Sequence, residues 1–165
     1  MSANLLLRSL LSIRSIRAYS VMYTTHCTAT SGRVMCDDDP KHLDVQLTKP
    51  KELGGTGAIG TNPEELFAAG YSACFLAAME VAARNSKKTL PKNSSVTATV
   101  NLGKHTNGNF GFQVQLAAKL PGASQIDADS LVKAAHNICP FSRMTFSYIQ
   151  KEMREYHHFV SRRNT

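Results

Sequence analysis

The stretch that most constrains this chain runs from Thr61 to Arg84, TNPEELFAAGYSACFLAAMEVAAR. Asn62 is a capping residue, Pro63 suits the first helical position, and Glu64 and Glu65 favour the positive end of the helix dipole, so a helix is predicted to begin here. From Leu66 to Ala83 nearly every side chain is apolar or small, with Ser72 and Glu80 as the interruptions. A helix without a broad polar face has to be buried on most of its sides. The run is almost long enough to cross a bilayer, but two glutamates at one end, Glu80 inside and many alanines make insertion costly. The pattern therefore predicts a central core helix and no membrane span.

Around this helix the periodicity changes. Tyr23 to Thr30 (YTTHCTAT) is β-branched and aromatic, which predicts a strand, with Arg33 just beyond its end. Ser31 to Lys41 is polar with Gly, Pro and three aspartates and reads as a loop. His42 to Thr48 (HLDVQLT) alternates with period two and reads as a second, half-buried strand. The glycine-rich Lys49 to Gly60 matches neither a phosphate loop nor a dinucleotide fingerprint and reads as a flexible connection. After the central helix, Ser95 to Leu102 and Phe110 to Leu120 alternate on either side of Asn107-Gly108, a strong hairpin signal. Asp127 to Cys139 carries Leu131, Val132, Ala135 and Ile138 at helical spacing, and Pro140 stops that helix. Hairpins on both sides of a buried helix point to an α+β fold with antiparallel sheets. One small sheet covers so apolar a helix poorly, which predicts that a second subunit helps to bury it.

The formal charge of +7 over 165 residues needs one qualification. Arg8, Arg14 and Arg17 supply three of those charges within the first twenty residues, where no acid occurs, and the remainder is too diffuse to suggest nucleic acid as a partner. Met1 to Ser20, MSANLLLRSLLSIRSIRAYS, alternates leucine or isoleucine with serine and arginine, the composition of an organelle presequence rather than a secretory signal. The expected organisation is a targeting segment over residues 1–20, one domain over 21–155 with a single core, and a basic tail over 156–165. Import into a mitochondrion or related organelle follows, and because such a matrix is reducing, the four cysteines are not expected to be structural staples.

The candidates for chemistry are Cys74, mid-helix among apolar neighbours, and Cys139, at a helix end where the chain turns and becomes accessible. Alone, Cys74 reads as a small core residue. Together, the two suit a reversible redox pair on separate elements. His136 and Cys139 have ligand-like spacing, but zinc needs a second short-spaced pair that the sequence lacks. A hydrolase built on Cys74 and His136 lacks a local strained turn and oxyanion donors. Cys27 and Cys36 show no partner pattern.

These residues carry a family resemblance. TNPEELFAAGYSACF, the preceding ELGG and AHNICPFS near the end resemble, in order and spacing, the signature stretches of the organic hydroperoxide resistance family within the OsmC superfamily, over Tyr23 to Ile149. Tyr148 to Arg154 departs from the family's closing strand. The resemblance implies an OsmC-like fold completed by an intertwined homodimer. It also implies a thiol peroxidase without cofactor or metal, reducing alkyl and fatty-acid hydroperoxides and recharged by a dihydrolipoyl group or lipoylated protein. By motif position Cys74 is the peroxidatic cysteine, Cys139 the resolving one, Glu64 the active-site glutamate and Arg33 the active-site arginine. The alternative is a non-catalytic binder of a small apolar or acyl ligand.

Physical chemistry sets terms for that assignment. Burial among Ala, Phe and Leu raises a thiol's pKa, and mid-helix Cys74 gains nothing from the end of its own helix, so a delivered cation is expected to activate it. A guanidinium suits the task, with Glu64 orienting Arg33 by a bidentate pair. Glu64 and Cys74 are ten residues apart, about 15 Å along a straight helix and about 80° apart in angle. That offset predicts either a bend near Gly70 or a site shared between two subunits.

Overall fold

The computed structural model describes residues 20–37 and 43–145. The expected presequence apart from Ser20, the segment from Phe146 onward and the expected tail Tyr156 to Thr165 lie outside the described residues. The chain forms two compact units, Met1–Val45 and Gln46–Thr165.

Strands β1 (Cys27–Thr30), β2 (Arg33–Cys36) and β3 (Asp44–Gln46) form a sheet in that order. The first strand is shorter than Tyr23 to Thr30, and β2 lies where a loop was expected. The cause is Ser31-Gly32. Gly32 adopts φ +96°, which a tight two-residue turn needs and side-chain-bearing residues resist, so the chain reverses at once and Arg33 pairs with Thr30. The same register sets Cys36 opposite Cys27, and the two are joined as a disulfide. This corrects the expectation that Cys27 and Cys36 have no partner and that no cysteine acts as a staple. Facing positions on paired strands bring two Cβ atoms close, a relation that spacing along the sequence conceals once β2 has been taken for a loop.

The C-terminal unit holds the core. The glycine-rich connection contains a single 3-10 turn, Lys51–Leu53, and its Gly55 passes so close to Lys49 that a Cβ would lie 1.8 Å from the Lys49 carbonyl oxygen. The Thr61 N–H donates to the Gln46 carbonyl at 2.9 Å and the Thr48 N–H to the Thr61 carbonyl at 2.7 Å, which fixes where the next helix starts. That helix, α1 (Pro63–Asn85), is capped as its sequence predicts, with Asn62 Oδ1 accepting from the Glu65 N–H at 2.8 Å. Its hydropathy over an 18-residue window averages 1.6, enough by length and composition for a membrane span. Here it is the core helix, with Tyr71, Phe75, Ala78, Met79, Ala82 and Ala83 buried, and Phe75 and Met79 completely so.

Strands β4 (Ser95–Lys104) and β5 (Phe110–Lys119) pair antiparallel over their full length around Asn107-Gly108, with Gly108 at φ +87°. Val96, Ala98, Val114, Leu116 and Ala118 pack against the buried core cluster that includes Phe75, Met79 and Ala135. Helix α2 (Gln125–Ile138) begins two residues before the expected start because Ser124 caps it, accepting from the Asp127 N–H at 3.2 Å. It packs against α1 through Leu131, Val132 and the buried Ala135. Within one chain α1 is less covered than its composition predicts: Ala69, Ala73 and Ala77 form an exposed stripe, and Glu80 lies exposed beside it.

Candidate active site

Cys139 ends α2 in an extended conformation, its N–H donating to the Ala135 carbonyl at 2.8 Å, and Pro140 follows. Pro140 stops α2 as expected, but residues 140–145 are helical again. Proline is at home in a first turn, where its missing N–H has no partner to lose, and the Arg143 N–H bonds back to the Cys139 carbonyl at 3.1 Å. Pro140 thus closes one helix and opens the next, and the tight corner turns the Cys139 side chain inward. Cys139 Sγ lies 3.4 Å from Cys74 Sγ, close enough for one S–H to donate to the other sulfur. The expected exposures are reversed. Cys139 is fully buried, whereas Cys74 is half-exposed, on the flank of α1 between the buried Tyr71–Phe75–Met79 face and the open alanine stripe.

Burial pushes the Cys74 thiol above its ordinary range, and the neighbouring Cys139 thiol adds to the rise. Opposing both, the backbone N–H of Phe141 donates to the Cys74 sulfur and favours the thiolate. Cys74 gains nothing from the end of its own helix, but it does gain a donor from the start of another, which periodicity could not reveal. Phe141 is held in place by its ring, stacked on Tyr71 at a centroid distance of 5.6 Å and edge-on to Phe67 at 5.8 Å. Gly70 lies next to this ring: a Cβ there would meet Phe141 Cζ at 3.4 Å.

A polar cluster lies beside the sulfurs. The Tyr71 hydroxyl donates to Ser142 Oγ at 3.0 Å, His136 Nδ1 lies 3.2 Å from the same oxygen, and the His136 ring packs on Phe75 at 4.7 Å. Tyr71 and Ser142 were missed as site residues although both lie inside the quoted motifs; the available signal was a serine beside a buried cysteine. Tyr71, Ser142, Phe67, Phe112 and Met144 line a groove of about 590 Å³. Among the described residues no group of three or more His, Cys, Asp or Glu side chains is placed to hold a metal ion.

The other two expected residues are Arg33 and Glu64. Arg33 opens β2 in the N-terminal unit, and its Nε and Nη2 donate to Asp44 Oδ1 and Oδ2 at 2.6 and 2.7 Å. The bidentate carboxylate on Arg33 is Asp44. Asp44 is the local choice because the turn at Gly32 and the order β1-β2-β3 put both residues in one small sheet. The pairing keeps the guanidinium firmly protonated. Glu64 is half-buried in the first turn of α1, where its neighbour Glu65 accepts from the Thr61 hydroxyl at 2.7 Å. Helix α1 runs unbroken through Gly70, so Glu64 and Cys74 remain about 15 Å apart along its axis.

Comparison with known proteins gives a consistent result. The family model described as OsmC-like protein matches residues 54–150. The organic hydroperoxide resistance protein of Xanthomonas axonopodis pv. citri is 45% identical over 126 residues, spanning 76% of this chain and 88% of that protein. Among solved structures, an organic hydroperoxide resistance protein from Legionella pneumophila superposes with a TM-score of 0.70 at 38% identity, covering 76% of this chain and 90% of its own. The OhrB protein of Bacillus subtilis does so with a TM-score of 0.68 at 34% identity, covering 76% and 92%.

Proposed function

Since the chain belongs to the OsmC-like family, alongside the organic hydroperoxide resistance proteins of an oxidative-stress peroxidase family, we propose that it is a thiol peroxidase acting on alkyl and fatty-acid hydroperoxides. The observation that carries this reading is the sulfur pair: a half-exposed Cys74 that accepts a backbone N–H, with a buried Cys139 3.4 Å behind it. The Cys74 thiolate attacks the terminal peroxide oxygen, the O–O bond breaks, and the alkoxide takes a proton to leave as the alcohol, giving a Cys74 sulfenic acid. The Cys139 sulfur then attacks Cys74 Sγ. The S–O bond breaks, hydroxide leaves with the Cys139 proton as water, and the disulfide forms. A dithiol reduces it; a dihydrolipoyl group, free or on a lipoylated protein, is the proposed donor. Closing a 3.4 Å gap to a disulfide bond of about 2.05 Å takes a shift of roughly 1.4 Å, within the reach of side-chain rotation.

In this proposal Arg33 is the cation that completes thiolate activation and Glu64 helps to orient it, with Asp44 holding the guanidinium in the isolated chain. We further propose a homodimer. The exposed Ala69, Ala73 and Ala77 stripe, with Phe110 at 68 % and Phe112 at 47 % exposure, is apolar surface that a second copy would cover. The arginine-bearing first twenty residues support import into a mitochondrion or related organelle as a separate proposal, tested by locating a fluorescent fusion with and without them.

The groove beside Tyr71 favours one competing reading, a binder of apolar or acyl ligands without catalysis. Addition of linoleate or cumene hydroperoxide to the reduced protein, followed by thiol counting and peptide mass, separates the two. The peroxidase forms a Cys74–Cys139 linked peptide, two hydrogens lighter than its parts, and releases one alcohol per disulfide. Unreacted Cys74 and Cys139 with bound, intact hydroperoxide would establish the binder.

A further inference from the structure

The cycle proposed above makes no use of Ser142, Tyr71 or His136, yet these side chains are joined to one another around the chain corner that carries Cys139. Ser142 is 3 % exposed, three residues after Cys139, and His136 lies three residues before it. A serine hydroxyl carries one proton. With Tyr71 donating to Ser142 Oγ at 3.0 Å, that proton is free for His136 Nδ1 at 3.2 Å. His136 is an exposed residue, but the partial loss of solvent around its ring pushes its pKa down, so at neutral pH the ring is in the form that can accept. The Tyr71 hydroxyl also lies 3.3 Å from Thr145 Oγ1, which donates to the Phe141 and Ser142 carbonyls at 3.0 and 3.1 Å. One buried oxygen thus ties α1, through Tyr71, to α2, through His136, across the corner occupied by Cys139.

We infer that Ser142 is a positioning residue for the resolving step: its hydroxyl, shared between Tyr71 and His136, sets the corner that aims Cys139 Sγ at Cys74 Sγ. This rests on the thiol-peroxidase reading for its biological meaning. The physical argument is one of orientation. Cys139 is fully buried and cannot search for its target, so the rate of sulfur–sulfur closure depends on how well the corner is held. Phe141 is held separately, by its ring against Phe67 and Tyr71. Loss of the Ser142 hydroxyl should therefore slow closure without withdrawing the N–H from Cys74.

A two-step thiol exchange tests this without any peroxide. Reduced protein captures dithiobis(nitrobenzoate) as a mixed disulfide at Cys74, releasing one nitrothiobenzoate. Attack by Cys139 releases the second, and peptide mass assigns both steps. In Ser142→Ala the second release is expected to slow about tenfold or more while the first stays close to that of the unsubstituted protein. Ser142→Thr, which restores the hydroxyl, should recover most of the second rate. Tyr71→Phe keeps the ring stack and removes one donor, so it should fall between the two, and it serves if Ser142→Ala does not fold. Equal closing rates in Tyr71→Phe and the unsubstituted protein, or a first step that falls in parallel with the second, would overturn the inference. A run with linoleate hydroperoxide separates the two ideas: normal closure without peroxide consumption would refute the peroxidase and leave Ser142 positioning intact.

Discussion

Cys139 Sγ lies 3.4 Å from Cys74 Sγ although 65 residues separate them, and the residue two beyond Cys139 hands its backbone N–H to the same Cys74 sulfur. A single corner thus supplies both a resolving thiol and a donor that favours the attacking thiolate. Several measurable consequences arise from that arrangement.

Removal of the resolving sulfur should leave the first oxidation product stranded. In Cys139→Ser, repeated additions of hydroperoxide are expected to carry Cys74 past the sulfenic acid to the sulfinic acid, a gain of two oxygens by mass. Cys74→Ser should show neither oxygen gain nor peroxide consumption. Persistent consumption by Cys74→Ser would move the peroxidatic role elsewhere.

The pH dependence of Cys74 reports on its activating cation. Burial pushes this thiol up and the Phe141 N–H only partly offsets it, so without further help its alkylation rate should still be climbing with pH above neutrality. If Arg33 supplies the missing charge, the full protein should reach its plateau at lower pH, and Arg33→Ala should move the midpoint upward. Coincident profiles for the two proteins would reassign the cation.

Gly70 is a test of the Phe141 seat. Gly70→Ala adds a Cβ at 3.4 Å from Phe141 Cζ, an ordinary contact, and gains up to about 1 kcal/mol of helix propensity, so denaturant unfolding should show unchanged or higher stability. Gly70→Val carries two further methyl groups on that Cβ. It is expected to cost about 1–3 kcal/mol by overpacking and to slow Cys74 alkylation as Phe141 shifts.

Phe75 anchors the core on which the sulfurs depend. It is completely buried and carries the His136 ring, so Phe75→Ala should cost about 3–5 kcal/mol in chemical denaturation. A loss below about 1 kcal/mol would mean that α1 and α2 are not packed as described.

The Cys27–Cys36 disulfide should be separable from the catalytic pair. Non-reducing peptide maps are expected to show it before peroxide is added, with Cys74–Cys139 appearing only afterwards. In the loop-entropy account, a bridge between residues nine apart restrains the unfolded hairpin by about 2–3 kcal/mol, so Cys27→Ser should loosen protease protection around Arg33.

Much of the architecture could be read from local chemistry. Asn62-Pro63 placed the start of α1, Asn107-Gly108 placed the β4–β5 reversal, and alternation marked both strands, because capping, φ preference and side-chain period are properties of adjacent residues. The redox roles of Cys74 and Cys139 came instead from the resemblance of their motifs to a family. Sequence failed where one strand's register decided the outcome. Gly32 turned a supposed loop into β2, and with it came the Cys27–Cys36 bridge and the pairing of Arg33 with Asp44.

What the sequence alone determined is the apolar helix with a cysteine in its middle, the hairpins around it and a second cysteine at a proline-stopped helix end. Only the tertiary structure decided which sulfur is exposed, that Phe141 rather than α1 itself supplies a donor to Cys74, and that Ser142 joins Tyr71 to His136. Those outcomes depend on how two distant helices meet at one corner. Packing directions and backbone N–H positions there are set by contacts among residues some 65 to 75 positions apart, to which no local pattern is sensitive.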